Sequence, residues 1–137
     1  MTKDITVKAI LENLDTVLGF VEKNLEIAEC PMKIAMKIVV CVEELFVNVA
    51  NYAYEENCGE CQISIEKYEV NPSSIRITMI DQGKAFNPLE KEDPDTTMNA
   101  EERNIGGLGI FMVKNIMDKI IYDRKQDNNI IIMEKSW

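Results

Sequence analysis

Histidine is absent from all 137 residues. That excludes a phosphoaccepting histidine, a Ser-His pair and any histidine-containing metal site within the chain. Basic charge is scarce as well: 15 Lys and Arg stand against 24 Asp and Glu, for a net charge of −9. Such a surface does not embrace a phosphate backbone through counterion release, which argues against direct nucleic-acid binding and makes a basic partner surface the better match. No apolar run approaches the ~18 residues of a membrane span. The opening Met1-Thr2-Lys3-Asp4 is not a charged-then-apolar leader, so no membrane is expected and the location should be cytoplasmic. Cysteine is limited to four residues. Cys58-Gly59-Glu60-Cys61 is formally a C-x-x-C, but Cys30 and Cys41 do not form a second such pair, and a turn leading into a strand accounts for the segment without metal or redox chemistry.

What is present suffices for a core. Hydrophobic residues make up 46% of the chain, and the length fits one domain over residues 1–137, with no internal repeat or low-complexity tract. Ile5, Val7 and Ala9 alternate with polar neighbours, which predicts a short strand. Leu14, Val17, Leu18, Val21, Leu25 and Ala28 recur at threes and fours, predicting an amphipathic helix from Leu11 to Ala28 that ends at Cys30-Pro31. A second helix should run from Met32 to about Tyr54. Gln62 to Tyr68 and Ser74 to Ile80 alternate cleanly around Asn71-Pro72-Ser73 and read as an antiparallel hairpin with one wet face. Leu89 to Asn104 is polar, acidic and without a hydrophobic period, as expected of a lid or a disordered segment. A third helix should run from Ile110 to about Met117, followed by two strands joined around Asp127-Asn128-Asn129. The fold class is therefore α+β, a two-layer sandwich of about three helices on a mostly antiparallel sheet.

Three stretches carry polar groups where the pattern alone would not put them. On the second helix, Glu44, Asn48 and Asn51 fall at i, i+4 and i+7, in one stripe opposite Ile38, Val42, Leu45 and Val49. A carboxamide oxygen is a hard ligand for Mg2+, and a carboxylate one turn away can accept a hydroxyl proton. A solvated helix face is the plainer reading of that stripe taken alone. Asp81 ends a strand and Gly83 follows it, presenting a carboxylate beside open backbone, which suits a planar base with an exocyclic amine. Ordinary turn chemistry also produces such a pair. Gly106-Gly107-Leu108-Gly109 precedes a helix start, where unpaired N–H groups favour phosphate. Neither a P-loop nor a dinucleotide fingerprint is present.

In this order, the three stretches resemble the ATP-binding domain shared by gyrase-type topoisomerases, heat-shock chaperones, sensor histidine kinases and mismatch-repair ATPases. Within that superfamily the chain is similar to the bacterial anti-sigma factor serine/threonine kinases. The resemblance implies a histidine-kinase-type ATPase fold that binds ATP and Mg2+. It implies Glu44 as general base and Asn48 as magnesium ligand, within an E-x-x-x-N element whose stripe continues to Asn51. Asp81 would contact adenine, with Gly83, Phe86 and Pro88 in the same D-x-G-x-x-F-x-P segment. Gly107 and Gly109 would surround the phosphates, with Gly106, Leu108 and Ile110 in that segment. Two departures stand out: Tyr52 where relatives often have His, and Asn128-Asn129 where many have Gly-Thr, although Asn129 retains a hydrogen-bond donor. By the same resemblance the protein would phosphorylate a small anti-anti-sigma antagonist protein, bind a sigma factor and form a homodimer through its sheet. Two rival readings are a non-catalytic nucleotide-gated binding module and the detached catalytic domain of a sensor histidine kinase, whose acceptor histidine would sit on another chain.

Overall fold

The computed structural model describes residues 2–55, 59–68, 73–90 and 105–137, with the backbone alone over 105–108. Strand β1 (Thr2–Lys8) is followed by helices α1 (Leu14–Ile27) and α2 (Met32–Tyr52), then β2 (Glu60–Tyr68), β3 (Ser74–Asp81), α3 (Ile105–Ile116), β4 (Lys119–Lys125) and β5 (Asn128–Ser136). The strands form one sheet in the order β1-β2-β3-β5-β4 with every pairing antiparallel. Alternation decides its two faces, because successive side chains point to opposite sides. Cys61, Ile63, Ile65, Ile75, Ile77, Met79, Ile131 and Met133 point inward and are buried. Against them pack Val17, Val21 and Leu25 of α1, Ile38, Val42, Leu45 and Phe46 of α2, and Ile110 and Val113 of α3. The expected two-layer α+β sandwich is the observed architecture.

Local chemistry sets the element ends. Helix α1 stops in a Schellman motif: Cys30 N–H donates to Leu25 O and Glu29 N–H to Glu26 O, with Glu29 at φ 61° where glycine is the usual occupant. A 3-10 turn, Leu11–Asn13, takes the first residues assigned above to α1. Pro31 then caps α2, its carbonyl accepting from Ile34 and Ala35. The β4–β5 connection differs from the sequence expectation. Gln126 and Asp127 both have positive φ, 52° and 65°, and Lys125 pairs with Asn128. This is a two-residue turn of the primed type, which matches the twist of the flanking strands, so Asn128 and Asn129 belong to β5.

Helix α3 also begins earlier than expected, at Ile105, so Gly106, Gly107 and Gly109 lie within its first turns instead of preceding it. The first four N–H groups of a helix lack intrahelical acceptors, so the glycine segment itself carries the free donors. The expected lid starts as a 3-10 turn over Pro88–Glu90. Its remainder, 91–104, lies outside the described residues, as do Cys58 and the Asn71-Pro72 turn.

Candidate active site

Cross-strand register brings the first two site residues together. Asp81, the last residue of β3, pairs with Asn129 of β5, and both point inward at 6% and 4% exposure. Asp81 Oδ1 accepts from Gly83 N–H and from Asn129 Nδ2, each at 2.9 Å. The described residues donate nothing to Oδ2, and none of their side-chain polar atoms is both buried and unpartnered. Oδ2 is therefore at least partly accessible, and Asp81 lines the neighbouring cleft. That cleft is lined by Leu45, Asn48, Val49, Ala53, Met79, Asp81, Phe86, Pro88, Asn129 and Ile131. Largely apolar walls with a carboxylate acceptor among them are the environment expected for a flat heteroaromatic ring that carries an amine.

Asn129 does not keep the role the sequence suggested. Its Nδ2 donates to Asp81 Oδ1 and, at 2.8 Å, to Lys84 O, so both amide hydrogens are committed within the protein. Gly83 also acts differently. Its φ is not positive. A Cβ there would run into the Ala53 carbonyl oxygen and stand 2.6 Å from Ala53 C and Cβ. The missing side chain makes room for the end of α2, where Lys84 N–H donates to Ala53 O at 2.9 Å, rather than for a ring. Gly83→Ala should lower stability by about 1–3 kcal/mol, the usual cost of forcing atoms into filled space. Urea unfolding checks this, with Gly19→Ala as reference, because nothing lies within 4 Å of a Cβ at Gly19.

The α2 stripe divides over three surroundings. Asn48 lines the cleft beside Asp81 and Asn129. Glu44, one turn earlier and half-buried, lies against α3: a Cβ on Gly109 would strike Glu44 Oε2 and sit 2.9 Å from its Cδ. Glycine at 109 therefore lets the carboxylate approach the first turns of α3. Asn51 is exposed and faces a separate depression with Tyr52, Gly83 and Lys84, so it is not part of the cleft. Ile110 is a core residue at 2% exposure, leaving only its backbone for the site. Leu108 and the Gly106-Gly107 pair are described by their helical backbone alone. Among the described residues no group of three or more acidic or cysteine ligands gathers. One carboxamide in the cleft fits a Mg2+ that takes its other ligands from phosphate and water.

Several contributors escaped the sequence reading. Tyr122 Oη donates to Asn129 Oδ1 at 2.6 Å, and Arg124 Nη1 donates to the same oxygen at 3.1 Å and to Gly83 O at 2.9 Å. Tyr54 Oη donates to Glu60 O at 2.6 Å and accepts from Gln82 N–H at 2.7 Å, tying α2 to the ends of β2 and β3. A signal existed for the first two. Period-two alternation puts Tyr122 and Arg124 on the face that holds Ile120, a polar pair at inward positions. Two thiols near the site are poor thiolates: burial, helped by Glu44 and opposed by Lys135, pushes Cys41 up to about 12, and burial with nearby Asp81 raises Cys61 as well.

Residues 7–135 match the family described as Histidine kinase-like ATPase domain. The chain belongs to that family. The ATPase domain superposes on the histidine kinase domain of the blue-light activated histidine kinase from Erythrobacter litoralis EL346 with a TM-score of 0.52. The match covers 89% of this chain and 60% of that one at 15% identity, which shows the shared fold. Its sequence is 30% identical over 99 residues to the serine-protein kinase RsbW of Halalkalibacterium halodurans, covering 69% of this chain and 57% of that protein. To the serine-protein kinase RsbW of Oceanobacillus iheyensis it is 33% identical over 87 residues, covering 59% and 52%. The ATPase domain thus spans about half the length of the curated relatives it matches. No helix among its described residues is long and apolar enough to cross a membrane.

Proposed function

We propose that this ATPase domain is a Mg-ATP-dependent protein serine/threonine kinase of the anti-sigma type. In this reading it phosphorylates a small antagonist protein and binds a sigma factor. The observation that carries the reading is the accessible Oδ2 of Asp81 in a largely apolar cleft shared with Asn48, one helical turn from a Glu44 that rests on the glycine-rich start of α3. Similarity to proteins named serine-protein kinase supports a hydroxyl acceptor. Asp81 Oδ2 accepts from the adenine amine. Asn48 would hold Mg2+, which when bound offsets charge on the triphosphate. The free N–H groups of the first turn of α3 face the phosphates. Glu44 takes the proton as the acceptor oxygen bonds to the γ-phosphorus and the bond from that phosphorus to the bridging oxygen breaks, releasing ADP. Half-exposed Ile80, Ile130 and Ile132, with Ile121 at 38% exposure, form an apolar strip on the sheet face away from the helices, which supports a homodimer through that face.

Calorimetric titration tests the base assignment. Asp81→Asn should weaken Mg-ATP binding by roughly 10–100-fold, in line with a hydrogen bond to a charged group. The new carboxamide keeps its oxygen on Gly83 N–H and Asn129 Nδ2, so its NH2 turns toward the cleft and meets the adenine amine donor to donor. Unchanged affinity would remove adenine from this cleft. Radiolabelled transfer from ATP to a serine of a copurified partner tests the kinase assignment, and nucleotide binding without transfer would leave a nucleotide-gated binding module.

A further inference from the structure

The Asn129 amide is gripped from both ends. Its oxygen receives Tyr122 Oη at 2.6 Å, Arg124 Nη1 at 3.1 Å and Phe86 N–H at 3.3 Å, all donors. Its nitrogen faces Asp81 Oδ1 and Lys84 O, both acceptors. A flipped amide would set nitrogen against the Arg124 and Phe86 N–H groups and oxygen against a carboxylate and a carbonyl, so only one orientation is compatible with these partners. Arg124 also holds Gly83 O with the same terminal nitrogen, fixing the segment that leads to Phe86 and Pro88 on the cleft wall. No cation touches Asp81 itself among the described residues. The guanidinium of Arg124 is linked to that nearly buried carboxylate through one amide, a chain in which each bond polarises the next.

We propose that Arg124 and Tyr122 are the positioning residues that set purine selectivity. By locking Asn129 so that both of its N–H groups are used inside the protein, they leave Asp81 Oδ2 to meet the base as an acceptor alone. The inference rests on the reading of the cleft as a nucleotide site and adds which bases it admits. A 6-amino purine offers a donor to Oδ2. At the 6-position itself a 6-oxo purine offers a lone pair against a carboxylate, and Asn129 has no hydrogen left with which to rescue it. Once the grip on its oxygen is removed, the Asn129 amide can turn, Asp81 loses its fixed Oδ1 partner, and the site no longer separates the two classes sharply. Neither residue touches the base in this account; both act through Asn129.

The test compares Mg-ATP with Mg-ITP, which differ at the purine 6-position, by calorimetry on the full chain, with circular dichroism on every variant. Wild type should prefer ATP by more than about tenfold, the scale of one hydrogen bond to a charged group. Arg124→Met should bring that preference to about threefold or less, Tyr122→Phe should reduce it by a smaller factor, and Arg124→Lys should recover part of it, since one ammonium can replace one of the two bonds. Asp81→Asn is the reference and should reverse the preference. If Arg124→Met and Tyr122→Phe are folded and keep the wild-type ratio while Asp81→Asn changes it, the inference is overturned and the nucleotide reading stands. Should Arg124→Met fail to fold, Tyr122→Phe, which removes a single oxygen, decides alone. A wild type that binds neither nucleotide, or an Asp81→Asn variant with an unaltered ratio, overturns the cleft assignment and this inference with it.

Discussion

Replacing Glu44 by Gln is expected to lower phosphoryl transfer from ATP by about 10²–10⁴-fold while Mg-ATP affinity stays within about twofold. The substitution preserves the shape that packs on Gly109, so α2 and α3 should keep their contact. What disappears is the basic oxygen that accepts the hydroxyl proton. Glu44 is not among the residues lining the base cleft, so binding and chemistry should separate at this position. Asn48→Ala should behave otherwise, because Asn48 does line the cleft, and removing it harms binding and transfer together. Glu43 is the control: it lies about 100° around the helix from Glu44, and Glu43→Gln should leave transfer within about twofold. The measurement is radiolabelled transfer to the partner protein, run beside calorimetry on the same variants. Full transfer by Glu44→Gln would exclude it as the base.

Phe46→Ala should cost about 3–5 kcal/mol of folding stability, the range for truncating a large buried aromatic side chain. Phe46 is fully buried, the largest such side chain among the described residues, and belongs to the same helix as Glu44 and Asn48. Its burial helps seat the helix against the sheet and so holds the polar stripe in place. A loss of that size is a large share of the 5–15 kcal/mol typical of whole domains. Urea unfolding of wild type and variant gives the difference, and Met36→Ala, at a position 64% exposed, should change stability by no more than about 0.5 kcal/mol. Mg-ATP at 100 times its dissociation constant should return about 2.7 kcal/mol to any variant that still binds it. A Phe46→Ala cost below about 1 kcal/mol would contradict the packing described here.

The parts of the molecule legible in the chain are those governed by neighbours a few residues apart. Threes and fours place α1 and α2, and period two places β2 and β3, because each pattern follows from the geometry of one element. The Glu44 and Asn48 stripe is legible for the same reason: both side chains hang on one rigid helix. The shift of α3 to Ile105 and of the final turn to Gln126-Asp127 shows where local reading weakens. Glycine is compatible with either side of a helix boundary, and a turn residue such as Asn also fits the first position of a strand.

The sequence by itself thus determined the fold class, the covered face of the sheet and the identity of the polar residues on α2 and at the end of β3. Only the tertiary structure decided what those residues do for one another. Asp81 meets Asn129 because β3 and β5 pair in one particular register across 48 residues, and a slip of one place would turn Asn129 to the other face. In the chain Gly83 reads as open backbone beside a base and Gly109 as a glycine near phosphates. In the fold they are spaces filled by Ala53 and Glu44, elements brought together by packing. Arg124 and Tyr122 carry no motif, and their grip on Asn129 exists because a tight hairpin sets β4 beside β5 and aims three polar side chains at one buried point. Periodicity records which way a side chain points, but contacts between distant segments depend on register and packing, which no short window of sequence contains.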